Sequence, residues 1–394
     1  MLPLENIKIL DLSRLAAGNM VSHMFADFGA DVVKVEKPGK GDDLRNWKIN
    51  GISHWWAVYS RNKRSISIDL KKDEGLALLK ELVKSADVFI ENFVPGTLEK
   101  WGIGPEQLAE LNKNLIILRI SGWGQTGIFK NAPGFGSLVE GMSGFAAMTG
   151  EEKQSPLLPP LALADMVAGL TGFGAILMAI LASKKDNTGG QVIDLSLFEP
   201  FFSILGPWAA SYKISGKVPE RIGNRSNVAA PRGIYKTEDN KYVSLSASMQ
   251  SMWEKLALTI GSSDLIKDPR FLTNSDRLNN QDDLDKPISK FIKKYSREEV
   301  LNIFSKEGIT VGPVLDISEI IEHPYIKDRE VLIDHYNKEY GNVLMHQAFP
   351  RLSKTPGKIR HSAPSLGGDT DLVLKEIGIS EKQIHMLRKN KIIN

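Results

Sequence analysis

The sequence predicts an α/β protein with a parallel, helix-covered sheet in a large domain and a second, smaller α+β domain. Three observations carry this. Short apolar runs alternate with helix-length amphipathic runs through residues 1–200, the pattern of strands whose crossovers are helices. An almost uncharged run of helical length, LALADMVAGLTGFGAILMAILA, is followed at once by the strand-like QVIDLSLF. Past Phe198 the texture changes to a connection rich in Gly, Pro and aromatics, then to a hairpin pattern and three amphipathic helices.

The elements follow in order. IKILDL reads as a strand, AAGNMVSHMFADFG as a helix and ADVVKVEKPG as a second strand ending in a turn. RSISIDL, KDEGLALLKELVKSA and DVFIENF repeat the motif, and PEQLAELN with NLIILRISG adds a short helix and another strand. Strand ends at Glu36, Asn92 and Gly122 then gather at one edge, where parallel sheets bind ligands. The run Met166 to Ala182 approaches the roughly 20 apolar residues of a membrane span. We read it instead as a helix buried on all sides of a large core, because it is single and leads straight into a strand.

FFSILGPWAASYKISGKVPERIGNRSN reads as a linker, and GIYKTEDNKYVSLSA as a hairpin turning at Glu238, Asp239 and Asn240. SMWEKLALTIG, DLDKPISKFIKKY and REEVLNIFSKEG are helical patterns. The expected organisation is therefore a large-domain part at 1–200, a linker at 201–230 and a small domain at 231–316. A return linker and the rest of the large domain follow at 317–394, with polar loops and DTDLVLKEIGIS as a last helix.

Composition removes several chemistries. The 394 residues include no cysteine, which excludes a thiolate nucleophile, disulfides and Cys-ligated metal. Fifty basic against 47 acidic side chains, with no basic block, give no argument for nucleic acid. The seven histidines show no metal-ligand spacing. The N-terminus carries no secretory pattern, and a cytoplasmic location is expected. The first strand–helix turn, SRLAAGN, has only Gly18 and lacks G-x-G-x-x-G, so a nicotinamide or flavin site is not expected. A G-x-S-x-G elbow is missing too. What remains at that turn is a helix N-terminus near Ala17 whose free N–H groups suit an anion.

Basic residues sit in the other loops: Arg61, Lys63, Arg64 and Lys71 around one strand, Lys37 after another, and Asn92 with Lys100 in ENFVPGTLEKWG. GWGQTG is a Gly-rich loop able to cover a site or merely to turn. The most informative charge is Asp165, the only one between Leu161 and Ala182. Burying an unpaired carboxylate costs several kcal/mol or raises its pKa. Asp165 is either a cap on a buried helix or a reactive carboxylate among small neighbours, Ala162, Ala164, Ala168 and Gly169.

The stretches LDLSRLAAGNMVSHMFADFGADVVKVEKPGKGD, NKRSISIDLK, ADVFIENFVPGTLEKWG, LALADMVAGLTG and APSLGGDT, in that order, make the chain resemble the family III CoA-transferases, which include formyl-CoA transferase and carnitine CoA-transferase. The resemblance implies a Rossmann-like large domain built from both chain ends, a small domain, and an interlocked homodimer. It implies acyl-CoA and a small carboxylic acid as substrates, no permanently bound cofactor or metal, and no nucleic-acid or membrane partner. Asp165 inherits the nucleophile's position, attacking a thioester to give an aspartyl anhydride and then an aspartyl-CoA thioester.

By the same resemblance Leu15, Ala16 and Ala17 line the nucleotide site, with Ala16 replacing a catalytic glutamine. Lys37, Leu70, Lys71, Asn92 and Phe93 match CoA contacts, and Lys100 stands for an arginine, losing its planar fork. The loop GGGGQ of formyl-CoA transferase is replaced by SLSASMQ, ending at Gln250, which argues against formyl-CoA. The related α-methylacyl-CoA racemases are the alternative. They carry a His-Asp pair where this chain has Phe135 and Gly136, and Phe moves no proton. Glu140 nearby either assists or binds. The stretch from Asn224 onward resembles members acting on small dicarboxylic acids, with succinyl-CoA a fitting donor. There Arg225 or Arg232 could hold a distal carboxylate or be structural.

Overall fold

In the computed structural model, which describes residues 1–186 and 188–394, internal contacts divide the chain into two compact units. One comprises residues 1–145, 158–207 and 327–394, the other residues 146–157 and 208–326.

The first unit is built on a six-stranded parallel sheet: β1 (Lys8–Asp11), β2 (Asp31–Glu36), β3 (Lys63–Ser67), β4 (Val88–Glu91), β5 (Ile116–Ser121) and β6 (Val192–Ser196). Its spatial order is β3-β2-β1-β4-β5-β6. Leu10 is in register with Val33 on one side and Phe89 on the other. Parallel strands need helical crossovers, and these cover both faces. One face packs Leu78, Leu79, Leu82, Leu374 and Ile384 against Leu10, Val33 and Phe89. The other packs Val21 and Phe25 of α1 (Ala16–Asp27) and Ala164, Ala168 and Ile176 of a long helix, Leu163–Asp186, against Ile9, Ile90 and Leu118.

Three parts differ from the sequence reading. The long helix is not buried on all sides: Leu170, Met178 and Leu181 are exposed, while Ala164, Ala168, Gly169, Gly172, Ile176 and Ala179 are buried. One stripe faces the sheet, and composition alone does not distinguish a stripe from a cylinder when both sides are apolar. The presumed linker holds two helices, Phe198–Ser203 and Trp208–Ser215. The tail contains an antiparallel hairpin, β10 (Leu332–Asn337) with β11 (Gly341–His346), and a further helix, Glu381–Lys389.

In the second unit β7 (Arg232–Lys236), β8 (Tyr242–Ser246) and β9 (Val311–Pro313) form an antiparallel sheet. The expected hairpin is there, with Asn240 in the left-handed conformation at its turn. Trp253, Leu256, Phe271, Leu284, Ile288, Val300 and Phe304 fill its core. The helices Gln250–Thr259, Gln281–Ile292 and Arg297–Lys306 match the three amphipathic patterns.

Candidate active site

The strand order reverses direction between β1 and β4, and ligands of open α/β sheets bind outside the strand ends at such a switch point. The loops there are tied reciprocally: the Arg14 N–H donates to Asn92 Oδ1 at 2.8 Å, and Asn92 Nδ2 donates to the Arg14 carbonyl at 2.7 Å. Two cavities of about 380 Å³ each open on this junction and share Arg14, Phe93 and Val94 in their walls. One is a groove lined by Lys37, Lys40, Asp42, Leu70, Lys71 and Trp101. The other is lined by Leu15, Ala17, Asn92, Trp123, Lys130, Phe135 and Asp165.

Asp165 reaches that cavity because of helix periodicity. It lies in the first turn of Leu163–Asp186, and Gly169, four residues on, shares its face. A Cβ on Gly169 would meet Met20 Cβ at 2.6 Å and the Ala17 carbonyl at 3.0 Å, so only glycine lets α1 come this close. The carboxylate therefore stands over the N-terminal turn of α1. Burial pushes Asp165 up to about 6, and the Glu140 carboxylate adds to the rise. The backbone amides of Asp165 itself and Ala17 pull it partly back. On the opposite side is Gly136, first residue of the helix Gly136–Met142. A Cβ there would lie 2.5 Å from Asp165 Oδ2.

The approach to α1 is strained. Leu15 has φ 61° and ψ −139°, a region that costs a non-glycine residue about 1–3 kcal/mol. Its N–H donates to Asp42 Oδ1 at 2.9 Å. Asn19 Nδ2 bridges the Leu15 carbonyl at 2.6 Å and Asp42 Oδ2 at 2.7 Å. Lys34 Nζ, fully buried, is 2.9 Å from Asp42 Oδ2 and 3.2 Å from Asp11 Oδ1. Burial pushes the Asp42 carboxyl up, but Lys34 and the Leu44 and Leu15 amides outweigh it and hold it below the usual range.

The other residues singled out from sequence divide clearly. Leu15, Ala17, Asn92, Phe93 and Asp165 meet at one cavity, and Lys37, Leu70 and Lys71 at the adjoining groove. Ala16 is buried at the start of α1 and Lys100 is exposed at the end of a short helix, and neither lines either space. Glu140 is buried and accepts the Ala164 N–H at 3.1 Å, holding the start of the helix that carries Asp165. Arg225 is engaged by Asp282 Oδ1 at 2.7 Å and Asp285 Oδ2 at 2.8 Å. Arg232 is exposed at the start of β7. Gln250 accepts from Arg277 Nη1 at 2.9 Å and donates to Glu254. Arg14, Lys40, Asp42, Trp101 and Lys130 were missed. Arg14 stood within the quoted turn SRLAAGN, but one basic residue in a loop gives no directional signal. Among the described residues no group of three metal-ligating side chains occurs.

The family model for CoA-transferase family III matches residues 4–370. The chain is 35% identical over 396 residues to a succinyl-CoA–D-citramalate CoA-transferase of Chloroflexus aurantiacus, covering 99% of this chain and 98% of that one. It is 32% identical over 378 residues to the human succinyl-CoA:glutarate CoA-transferase, covering 95% and 86%. A crystal structure of a CaiB/BaiF family protein from Brucella suis superposes with a TM-score of 0.84 at 32% identity, covering 95% of this chain and 99% of that one. With a match over nearly the whole chain and relatives at 35% and 32% identity, the protein belongs to CoA-transferase family III and is a CoA-transferase.

Proposed function

We propose that the enzyme moves CoA from succinyl-CoA to a small dicarboxylic acid through covalent intermediates on Asp165. The observation that carries the reading is the placement of this carboxylate over the N-terminal turn of α1, in a cavity adjoining a lysine-lined groove. CoA lies in the groove, where Lys37, Lys40 and Lys71 meet its phosphates. The thioester reaches past Arg14 to Asp165. The named substrates of the relatives support the donor and the acid class.

The carboxylate oxygen attacks the thioester carbonyl, the C–S bond breaks, and CoA leaves as thiolate. The succinyl–aspartyl anhydride is then attacked by the thiolate at the aspartyl carbonyl, releasing succinate and leaving an aspartyl-CoA thioester. The acceptor carboxylate attacks this thioester and expels the thiolate again. The thiolate attacks the acceptor's acyl carbonyl, which frees Asp165 and yields the new acyl-CoA. No net proton or electron is exchanged, and N–H groups at the start of α1 stabilise the oxyanions. Arg14 and Lys130 are the cations of the cavity wall and supply the counter-charge for a second carboxylate.

Incubation with succinyl-CoA and a panel of small carboxylic acids, followed by mass spectrometry of the CoA esters, tests the reading. New acyl-CoA from the wild type and none from Asp165→Ala supports it. If instead a 2-methylacyl-CoA exchanges its α-proton with deuterated water and no acid accepts CoA, the enzyme is a racemase. A homodimer belongs to the same reading, because Leu170, Met178, Leu181, Ile204 and Ile214 are exposed along consecutive helices and connections. Light scattering should then give twice the chain mass, and a monomer at micromolar concentration would remove it.

A further inference from the structure

Asp42 contacts none of the reacting atoms, yet it is buried and spends both oxygens on the turn that presents α1 to the nucleophile. Oδ1 accepts the N–H of Leu15 at 2.9 Å and of Leu44 at 2.8 Å, while Oδ2 accepts Asn19 Nδ2 at 2.7 Å and faces Lys34 Nζ at 2.9 Å. Leu15 is the residue at φ 61°, ψ −139°. Its conformation sets the course of the backbone into the first turn of α1, and two residues later comes Ala17, which lines the same cavity as Asp165. A leucine in this region relaxes unless its surroundings over-determine it. The surroundings here are a carboxylate fixed by Lys34, by its own N-cap bond to Leu44, and by Glu36, which accepts the Asp42 N–H at 2.8 Å.

We infer that Asp42 is a positioning residue for catalysis: it clamps the Leu15 backbone in a conformation leucine does not hold unaided, and so fixes the first turn of α1, where Ala17 lines the cavity of the reacting carboxylate. The inference rests on the reading of Asp165 as nucleophile. It predicts a fall in kcat at saturating substrate, separate from any change in CoA affinity at the groove that Asp42 also lines. It also predicts that the clamp becomes partly dispensable when residue 15 is glycine, which adopts positive φ freely.

The test uses the full-length enzyme and three variants, with kcat, KM and CoA affinity by calorimetry. Asp42→Asn should lower kcat at saturating CoA ester by roughly tenfold to a thousandfold, the range for misdirecting one oxyanion donor or misplacing a reacting group. Because Asp42 also lines the CoA groove, kcat at saturation and not CoA affinity is the readout. Asp42→Glu keeps the charge beside Lys34 but displaces the acceptor oxygens, and should lose kcat in the same way. If Asp42→Asn does not fold, this variant carries the test. Adding Leu15→Gly to the impaired variant should recover kcat at least about fivefold without restoring its melting temperature. Unchanged kcat in both single variants overturns the inference. So does a loss confined to KM, or no recovery with glycine, because a merely structural or charge-balancing Asp42 would not respond to the residue 15 backbone. Activity surviving in Asp165→Ala would instead defeat the nucleophile reading, a separate outcome.

Discussion

Gly136 stands directly against Asp165: a Cβ on the glycine would lie 2.5 Å from Oδ2, closer than any side chain tolerates. The space beside the Asp165 carboxylate exists because residue 136 has no side chain. Gly136→Ala should therefore push the carboxylate out of its position over α1. We expect kcat to fall by roughly 100-fold or more, in line with ångström-scale misplacement of a reacting group, with the fold retained by circular dichroism. Wild-type kcat in this variant would show that Asp165 has room the structure does not display.

With Asp165 as the proposed nucleophile, its protonation sets the acid limb of the pH profile. Its pKa is raised to about 6, first by burial and then by Glu140, so the carboxyl is neutral below that pH and anionic above it. The rate should climb through pH 6 and level off by about one unit higher. Glu140→Gln keeps an oxygen for the Ala164 N–H but removes the like charge. Its midpoint should move toward lower pH, and a midpoint moving up or staying fixed would remove Glu140 from the electrostatics of the site.

Arg61 and Asp27 make a buried pair. Nη2 meets Oδ2 at 2.6 Å and Nε meets Oδ1 at 3.1 Å, with Asn62 Nδ2 adding a bond at 2.7 Å. Arg61 also donates to the His346 carbonyl at 2.6 Å, joining α1 to β11. Arg61→Met leaves the carboxylate buried without its cation, which costs about 3–5 kcal/mol. Urea unfolding should show that loss, and a change below about 1 kcal/mol would mean water or another donor replaces the guanidinium.

Lys130 is the lysine in the wall of the Asp165 cavity. Lys130→Ala should raise KM for a dicarboxylic acceptor while leaving kcat nearly constant, because binding in the ground and transition states weakens equally. A monocarboxylic acceptor should feel little of the change. Equal effects on both acids would show that Lys130 does not read the second carboxylate.

Much of the sheet was legible because each strand of a helix-covered parallel sheet is a short apolar run bounded by turn residues. Lys8–Asp11, Asp31–Glu36 and Ile116–Ser121 lie inside the segments read as strands. Trp208–Ser215 escaped notice because it has no buried residue within its own chain, so its sequence lacks the one-sided apolar stripe that marks a helix against a core. The β10–β11 hairpin escaped because its turn lies in polar sequence, Lys338 to Gly341, with weak alternation on either side.

At the site, the sequence by itself determined that one carboxylate sits among small residues at the head of an apolar helix. That feature is local in the chain and survives any arrangement of the rest. It also determined the anion-ready turn before α1 and the strand ends that gather at one edge. Only the tertiary structure decided that Asp165 faces Ala17 and Gly136, that Glu140 is buried behind it, and that Asp42 holds Leu15 in a strained conformation. Those relations join residues 25 to 148 positions apart in the chain. Such contacts are set by how the β1 and β4 loops and two helices cross at the switch point, and that crossing leaves no periodicity in the sequence to read.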